Sequence, residues 1–349
     1  MRFEFVAIAL VVLGCTMFAA AEGGAAPGGL EGPVGQTVLG VEGSRFTLGG
    51  EPVFLLGFSY YGGLGASEAF VAADLDDFQR LGFNWLRLWA TWNSFGNDVS
   101  AVDVKGLARE PYMGRLKRLV AECDRRGMVV DVTLNRSKGA SAGALPDFAS
   151  HRQAVETLVE ALRPYRNWYL DLANERDVGD ARFVDCEELK QLRALVRRLD
   201  PQRLVTASFG GHDLSESDLR DVLMTVGVDL VCPHRPRHAE SPKQTEEQTR
   251  ATLALMKEMG RVAPVHHQEP FRRGYGSWAP TAEDFLRDLR GAVAGGAAGW
   301  CFHNGGERSR PDERPRRSFD LHEQRLFAQL DEEERKAVET AAKQLRPSN

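Results

Sequence analysis

The sequence has few cysteines, no surplus of positive charge and no long apolar run after its first residues. Five cysteines occur in 349 residues, and none are paired at the spacing of zinc ligands, so no zinc signature is present. Forty-four basic residues against 49 acidic ones give a net charge of −5, which disfavours a nucleic-acid-binding protein. A mean hydropathy of −0.33, without an apolar stretch of spanning length in the body of the chain, excludes a polytopic membrane protein.

The first residues are typical of an export signal. Arg2 precedes an apolar run over residues 5–13, and small residues follow it. The run is too short to be a transmembrane helix, so we predict a cleaved signal over residues 1–21 and an exported protein.

Two processing routes are open for this signal. The alanines at 19–21 suit release of a soluble, secreted protein, whereas Val12-Leu13-Gly14-Cys15 resembles the lipobox of bacterial lipoproteins. The second route would leave a lipid anchor on Cys15 at the periplasmic or cell surface, the one membrane contact that we expect. Residues 22–36 are rich in Gly, Ala and Pro and are predicted to be a flexible linker.

Four cysteines remain in the body of the chain: Cys123, Cys186, Cys232 and Cys301. Cys232 and Cys301 fall in apolar, strand-like runs, which predicts buried thiols. A disulfide between two of the four is also open, because an exported protein meets an oxidising environment.

From residue 37 onward, short apolar runs alternate with amphipathic segments. A small hairpin is predicted over 37–51, followed by eight strands: 54–60, 84–89, 129–134, 168–173, 204–208, 229–232, 264–268 and 298–302. Eight strands alternating with helices predict an α/β fold, a single (β/α)8 barrel over 37–349 that ends in a helix at about 320–345. No G-x-G-x-x-G turn follows the first strand, which argues against a dinucleotide-binding fold.

Three connections are longer than a barrel needs, namely 90–112, 135–150 and 303–319. Each follows the carboxyl end of a strand. Because active sites of such barrels lie at that end, these loops are predicted to shape a substrate cleft.

Two glutamates follow the ends of strands on opposite sides of the predicted barrel. Asn174-Glu175 ends the fourth strand and Glu269 ends the seventh. All strands of a parallel barrel end at the same rim, so the two carboxylates are expected to face each other across the mouth. Glycosidic cleavage needs such a pair, one to protonate the leaving oxygen and one to attack the anomeric carbon or activate water.

An Asn-Glu pair after strand four with a Glu after strand seven resembles the (β/α)8-barrel retaining glycosidases, in particular glycoside hydrolase family 5, the cellulase and mannanase family. The resemblance covers most of residues 37–303 and includes the strand Phe83–Trp89, the turn Leu199–Pro201 and the Gly299-Trp300 pair. It implies a glycosidase that acts on a β-linked oligo- or polysaccharide by double displacement. It implies no metal and no organic cofactor.

The resemblance also implies roles for individual residues. Glu175 would be the general acid/base and Glu269 the nucleophile. Arg87, at the end of strand two, would keep Glu269 ionised. Asn174 would bond to the sugar 2-hydroxyl.

Further substrate contacts are implied around the mouth. His234, after strand six, would lie near the nucleophile, and Trp300 would form a platform under the sugar. Asn135 stands where the family commonly has a histidine. Trp89 and Trp92 are candidate stacking surfaces. Tyr60 and Tyr61 are also candidates, with Tyr60 predicted to contact substrate, although at most one can face the mouth because successive strand residues alternate.

A glycan-binding barrel without catalysis is the main alternative. The stretch His234–His238 lacks the tyrosine that the family usually carries after strand six, and Leu134–Arg136 lacks its usual histidine. The function of a barrel can be lost while the fold is kept.

Two other barrel functions have weaker support. A metal-dependent hydrolase could use histidines and an aspartate near strands six and seven: His234, His238, His266, His267 and Asp229. Strand one, however, ends without a His-x-His pair, and the 266–267 doublet is expected to split between barrel and helices. A phosphate site at Asn304-Gly305-Gly306 would need a helix N-terminus there.

Overall fold

A computed structural model describes residues 35–139, 141–178, 182–274, 278–303 and 319–345. The export signal predicted over 1–21 and its lipobox at Cys15 lie outside these residues. So do most of the predicted linker, the candidate phosphate turn 304–306 and the body of the loop predicted over 303–319.

The described part of the chain begins with a small antiparallel sheet. Its three strands are Leu39–Glu42, Arg45–Leu48 and Glu51–Val53. The small hairpin predicted from the sequence is confirmed, and a third strand extends it. Gly49 and Gly50, at φ +59° and +92°, turn the chain back a second time, a conformation that glycine adopts readily.

Seven strands form one parallel sheet in the order 5-4-3-2-1-8-7. They are strand 1 (Leu55–Ser59), strand 2 (Trp85–Trp89), strand 3 (Val129–Thr133), strand 4 (Trp168–Asp171), strand 5 (Val205–Thr206), strand 7 (His266–His267) and strand 8 (Gly299–Phe302). Each lies inside the run that predicts it.

The segment 229–234, here strand 6, closes the gap between strands 5 and 7. The amide of Asp229 donates to the Val205 carbonyl at 2.9 Å, and the amide of His266 donates to the Val231 carbonyl at 2.9 Å. Its last residues, Pro233–His234, pair in parallel with Phe209–Gly210. The predicted (β/α)8 barrel is therefore confirmed.

Helices surround the barrel on its outer side. They are α1 (Glu68–Leu81), α2 (Tyr112–Arg125), α3 (Phe148–Leu162), α4 (Cys186–Leu199), α5 (Glu216–Leu219, continued by a π-helix over Arg220–Val226), α6 (Ser241–Glu258), α7 (Ala282–Gly295) and α8 (Glu332–Gln344). Short 3-10 turns occupy Gly63–Gly65 and Leu326–Gln329, and a two-residue hairpin pairs Asn93–Ser94 with Asn97–Asp98.

The last helix starts later than predicted from about residue 320. Asp331 accepts the Glu334 amide and forms a capping box with that side chain, which defines the start of α8. Before it, the carboxylate of Asp74 on α1 accepts the amides of Leu326 and Phe327 at 2.9 and 3.4 Å. These bonds hold the preceding segment in a tight turn against α1.

The core has an outer layer between strands and helices and an inner layer within the barrel. Phe46 of the small sheet lies in the inner layer, stacked on Tyr169 with ring centroids 6.4 Å apart and in edge contact with His266. The small sheet thus covers the amino-terminal end of the strands. The carboxyl ends of the strands are left for the site.

All four cysteines of the barrel are free thiols. Cys232 and Cys301 are fully buried, as predicted, and Cys123 is buried as well. Among the described helices, none has both the length and the apolar character that crossing a bilayer requires.

Candidate active site

Glu175 lies in a backbone conformation that is unusual for a residue with a side chain. Its φ is +48°, in the left-handed region that costs L-residues free energy and that often occurs at functional sites. The Glu175 amide donates to Oγ of Ser208 at 3.0 Å. The buried guanidinium of Arg136 donates to the carbonyls of Asn174 and Glu175. The two partners hold the turn that directs the Glu175 carboxylate into the mouth.

In the sequence, Arg136 is notable only as part of Leu134–Arg136, the stretch that lacks the usual histidine of the family. For the glycosidase predicted from the sequence, we expect Arg136→Met to lower kcat by about 100-fold with little change in KM, because it would displace Glu175, the predicted general acid/base, and small displacements of such a group are costly. Arg203→Met is the matched control. Arg203 is also buried and donates to main-chain carbonyls, those of Tyr165 and Trp168, but at the start of strand 4.

Steady-state kinetics and thermal unfolding of both variants test this prediction. The Arg203 variant should lose stability and keep its kcat. A kcat within threefold of the parent in the Arg136 variant would mean that the Asn174–Glu175 turn holds its geometry without that guanidinium.

Glu269 is almost fully buried, with 4% of its surface exposed. Its Oε1 accepts bonds from Nη1 of Arg87 at 2.5 Å and from the hydroxyl of Tyr61 at 3.1 Å. Burial raises the pKa of this carboxyl, but the surrounding positive charges, that of His234 first, outweigh burial and lower the pKa to about 2. Glu269 is therefore an ionised carboxylate at neutral pH, the state a nucleophile needs.

Glu175 faces Glu269 and is partly exposed, with 21% of its side chain accessible. Its Oε1 lies 3.1 Å from Nδ1 of His234, whose Nε2 lies 3.4 Å from Oε1 of Gln268. Burial raises the pKa of Glu175, but the hydrogen bond and charge of His234, followed by the charge of Arg237, lower it well below its ordinary value. The structure thus brings Glu175, Glu269 and His234 together, as the sequence predicts.

Arg237 lies between the two glutamates. Its Nη2 donates to Oε1 of Glu175 at 2.9 Å and to Oε2 of Glu269 at 2.8 Å. Sequence reasoning recognised the unusual 234–238 segment as a departure from the family pattern but gave Arg237 no role. The signal was present, since the segment directly follows strand 6 at the carboxyl rim.

Arg87 is fully buried and links the mouth to the barrel interior. Besides Glu269, it donates to Oδ2 of Asp171 at 2.7 Å and to Oδ1 of Asn174 at 2.9 Å. Burial, opposed by the charge of Arg87, raises the pKa of the nearby Asp131 to about 8. Nε of Arg87 also lies 3.2 Å from Oδ2 of Asp131, so three carboxyl groups surround this guanidinium.

Three aromatic rings line one side of the mouth. Tyr61 stacks on Trp89 with centroids 3.9 Å apart, and Trp92 contacts both rings at 4.8 and 5.5 Å. Trp89 is 1% exposed, so it supports the cluster from below, whereas Trp92 is half-buried. Tyr60 points the other way, donating to Asp74 of α1 at 3.0 Å. Of the two tyrosines, Tyr61 faces the site, and the choice of Tyr60 is corrected.

Trp300 also lies on the outer face of its strand. Its indole N–H donates to Oδ2 of Asp288 on α7 at 2.7 Å, and 1% of the residue is exposed. This position does not fit a platform under the sugar. The mouth-facing residue nearby is His303, whose Nε2 lies 3.5 Å from Oε2 of Glu269 and whose Nδ1 lies 3.0 Å from Oγ of Ser59.

Asn135 is half-buried and bonded through its main chain to Thr91, which follows strand 2. The Asn135 amide donates to Oγ1 of Thr91 at 2.6 Å, and the Thr91 hydroxyl lies 3.2 Å from the Asn135 carbonyl. These bonds join the loops after strands 2 and 3. They involve only the main chain of Asn135, so they do not direct its side chain towards either glutamate.

The histidines considered for a metal site are spread over the structure. The His267 ring bonds to Thr249 of α6, whereas the His266 ring lies inside the barrel 3.2 Å from the Tyr169 hydroxyl. Within the described residues, Glu175, His234 and Glu269 have ligand atoms that all lie within 4.8 Å of one another. Because Arg237 places a cation against both carboxylates, the fit of this group to a metal ion is poor.

The barrel resembles solved glycoside hydrolases. An endo-1,4-beta-mannanase from Rhizomucor miehei is 13% identical, with a TM-score of 0.61 over 88% of this chain and 99% of that one. A glycoside hydrolase family 5 mannosidase from the same organism, solved with mannosyl-fructose, is 14% identical, with a TM-score of 0.60 over 88% and 97%. The beta-mannanase of the blue mussel Mytilus edulis is 13% identical, with a TM-score of 0.56 over 88% and 97%. The chain has the fold of these enzymes.

Sequence comparison adds no relative. No protein-family model and no curated protein matches the chain. The resemblance to family 5 inferred from the strand-end residues is thus confirmed for the fold. The activity has to be argued from the geometry of the site.

Proposed function

We propose that this protein is a retaining glycoside hydrolase that cleaves O-glycosidic bonds in a β-linked oligo- or polysaccharide. The observation that carries the proposal is the closeness of the two carboxylates: an oxygen of Glu175 and one of Glu269 lie within 4.8 Å. Retaining glycosidases keep their carboxyl groups about 5–5.5 Å apart, whereas inverting enzymes need about 6.5–9.5 Å to admit a water molecule. The short gap favours direct attack by Glu269.

Double displacement divides the reaction between the two glutamates. In the first step a carboxylate oxygen of Glu269 bonds to the anomeric carbon, the glycosidic C–O bond breaks, and protonated Glu175 gives its proton to the leaving oxygen. In the second step Glu175, now ionised, takes a proton from water while the water oxygen displaces Glu269. The second step therefore leaves Glu175 protonated and Glu269 ionised, the state in which the next turnover begins.

The neighbours of Glu269 suit a nucleophile that alternates between carboxylate and ester. Arg87 and Tyr61 both donate to Oε1, leaving Oε2 toward Arg237 and the Glu175 side of the mouth. Donors on one oxygen stabilise the negative charge when the ester breaks. Asn174, bonded to Arg87 and preceding Glu175, is the proposed partner of the sugar 2-hydroxyl.

Release of reducing sugar from a panel of β-1,4-mannan, β-1,4-glucan and β-1,4-xylan, neutral and acid-bearing, tests the proposal. We expect products from at least one glycan, and proton NMR of the first product should detect the β-anomer before it mutarotates. Mannans are the first choice because the solved neighbours are named as mannanases. A first product in the α-configuration would contradict retention.

A glycan-binding barrel without catalysis is the second candidate, and the bridge formed by Arg237 favours it. An arginine that is hydrogen-bonded to both glutamates fills the space between them, so a ligand cannot reach the two carboxylates while the arginine stays there. Binding of an oligosaccharide by calorimetry, with no product over long incubation across the full panel, would support this candidate over the hydrolase.

A further inference from the structure

Arg237 occupies the position where a glycosidic bond would have to lie. In double displacement the leaving oxygen sits beside Glu175 and the anomeric carbon beside Glu269, so the scissile bond spans the gap between them. One nitrogen of Arg237 already spans that gap, at 2.9 Å from one carboxylate and 2.8 Å from the other. A sugar can bind productively only after this guanidinium has moved.

The bridge also helps to keep both carboxyl groups ionised, although the effect of His234 on each is larger. Arg237 is among the groups that lower the pKa of Glu175 and that of Glu269, outweighing the opposite effect of burial. An ionised Glu175 cannot protonate a leaving oxygen. When Arg237 departs, one of the charges that lower the pKa of Glu175 departs with it, while the larger effect of His234 stays, so the movement that opens the site also favours the protonated acid.

A neutral sugar offers the displaced guanidinium hydroxyl oxygens but no negative charge. The Arg237 side chain is only 20% exposed, and displacement breaks two charge-assisted hydrogen bonds. Arg235, two residues earlier, keeps its own partner, Asp213, at 2.5 Å. Arg272 adds a second positive charge that acts on Tyr61 and His303 across the mouth. A ligand that brings a negative charge would replace what Arg237 loses.

We propose that the natural substrate carries an acidic group on a sugar next to the bond that is cleaved, and that Arg237 binds this group after leaving the two glutamates. The carboxylate of a uronic acid and a sulfate ester would both supply the charge, since arginine binds either through paired hydrogen bonds. This inference rests on the proposed glycoside hydrolase function. It makes Arg237 the residue that determines specificity.

Matched substrates test the proposal. The acidic members are oligosaccharides of β-1,4-mannuronan and β-1,4-glucuronan, and the neutral members are made from them by reducing each carboxylate to a primary alcohol. A third pair, a sulfated β-1,4-mannan oligosaccharide and its desulfated form, tests whether a sulfate ester supplies the negative charge. We expect kcat/KM to be at least about tenfold higher for the acidic member of one pair.

Variants assign that preference to Arg237. Arg237→Gln should bring the acidic-to-neutral ratio of kcat/KM close to one, and Arg237→Lys should keep a large part of it. Arg250→Gln, which removes an exposed arginine paired with Glu246 on α6, should leave the ratio unchanged. If Arg237→Gln does not fold, the parent still gives a test: added salt should raise KM for the acidic member and leave KM for the neutral member unchanged.

The outcomes separate this inference from the function on which it rests. Cleavage of neutral members as fast as acidic ones, abolished by Glu269→Gln, would overturn the acidic substrate and leave the hydrolase standing. A preference that survives in Arg237→Gln would overturn the role of Arg237. No cleavage of any member, nor of any glycan in the panel of the proposed function, with the protein folded, would overturn both.

Discussion

Replacing Glu269 with glutamine is expected to lower kcat by about 10⁴-fold or more, as loss of a covalent nucleophile does in enzymes whose residues act as a unit. The amide keeps the shape of the side chain and can still accept from Arg87 and Tyr61. It cannot form the glycosyl ester. Initial rates of reducing-sugar release from the best glycan of the panel measure the effect.

The fold should survive this change. Arg87 retains its bonds to Asp171 and Asn174, so no buried guanidinium is left without partners. Glu216→Gln is the matched control, because Glu216 is an exposed glutamate paired with Arg220. Circular dichroism and thermal unfolding should be close to those of the parent in both variants. Near-normal turnover by a folded Glu269→Gln protein would refute the assignment of the nucleophile.

Much of this fold could be predicted from the periodicity of the sequence. The apolar runs 84–89 and 129–134 contain strands Trp85–Trp89 and Val129–Thr133, which pair in parallel along their whole length. Such runs are fully buried, so burial alone makes them recognisable. Strand 6 is the least regular, because Asp229–Cys232 bonds to its neighbours at only a few points. Its apolar pattern is still sufficient to identify it as the sixth strand of the barrel.

The positions of the two glutamates followed from topology, but the direction of individual side chains did not. Tyr60 directly follows strand 1 and Trp300 lies within strand 8, and each could have faced the mouth. Both instead donate hydrogen bonds to buried carboxylates on helices, Tyr60 to Asp74 and Trp300 to Asp288. Alternation along a strand leaves two choices, and the choice depends on partners that are distant in the sequence.

The two arginines that change the chemistry of the site come from irregular segments. Arg136 and Arg237 follow strands 3 and 6 in stretches without a helical or strand-like pattern. Their long side chains reach the 174–175 turn and the glutamate pair across the mouth. Hydrophobic periodicity does not predict the path of a loop or the direction in which a long side chain on it extends. Both arginines stand where the sequence departs from the family pattern, which was the available signal.

The shared fold and these departures together indicate which residues of the site the family resemblance does not predict. Solved barrels at 13–14% identity share its architecture over 88% of its length. The carboxylate pair and Arg87 belong to the part of the site that the resemblance predicts. His303 and Arg237 do not, and both lie against Glu269. Differences in substrate are therefore expected to come from these side chains and from the loops that carry them.

Glu175→Ala is expected to lower kcat on an unactivated glycan by about 10²–10⁴-fold, the usual contribution of general acid–base catalysis. The loss should depend on the leaving group. A dinitrophenyl glycoside releases a stable phenolate that needs no proton, so the first step should proceed almost as in the parent. The second step still lacks its base, so the glycosyl-enzyme should accumulate and give a burst of dinitrophenolate under stopped-flow conditions.

Azide provides the decisive readout for this variant. It is a nucleophile that needs no deprotonation, so it can displace Glu269 from the glycosyl-enzyme in place of water. Two inversions at the anomeric carbon would then give a β-glycosyl azide, identifiable by NMR, with an increased turnover rate. Ser208→Ala is the companion variant, because it removes the hydroxyl that accepts the Glu175 amide while leaving the carboxylate in place. It should lose activity that azide does not restore. An α-glycosyl azide from Glu175→Ala would mean that azide attacks the substrate directly, and the roles of Glu175 and Glu269 would have to be exchanged.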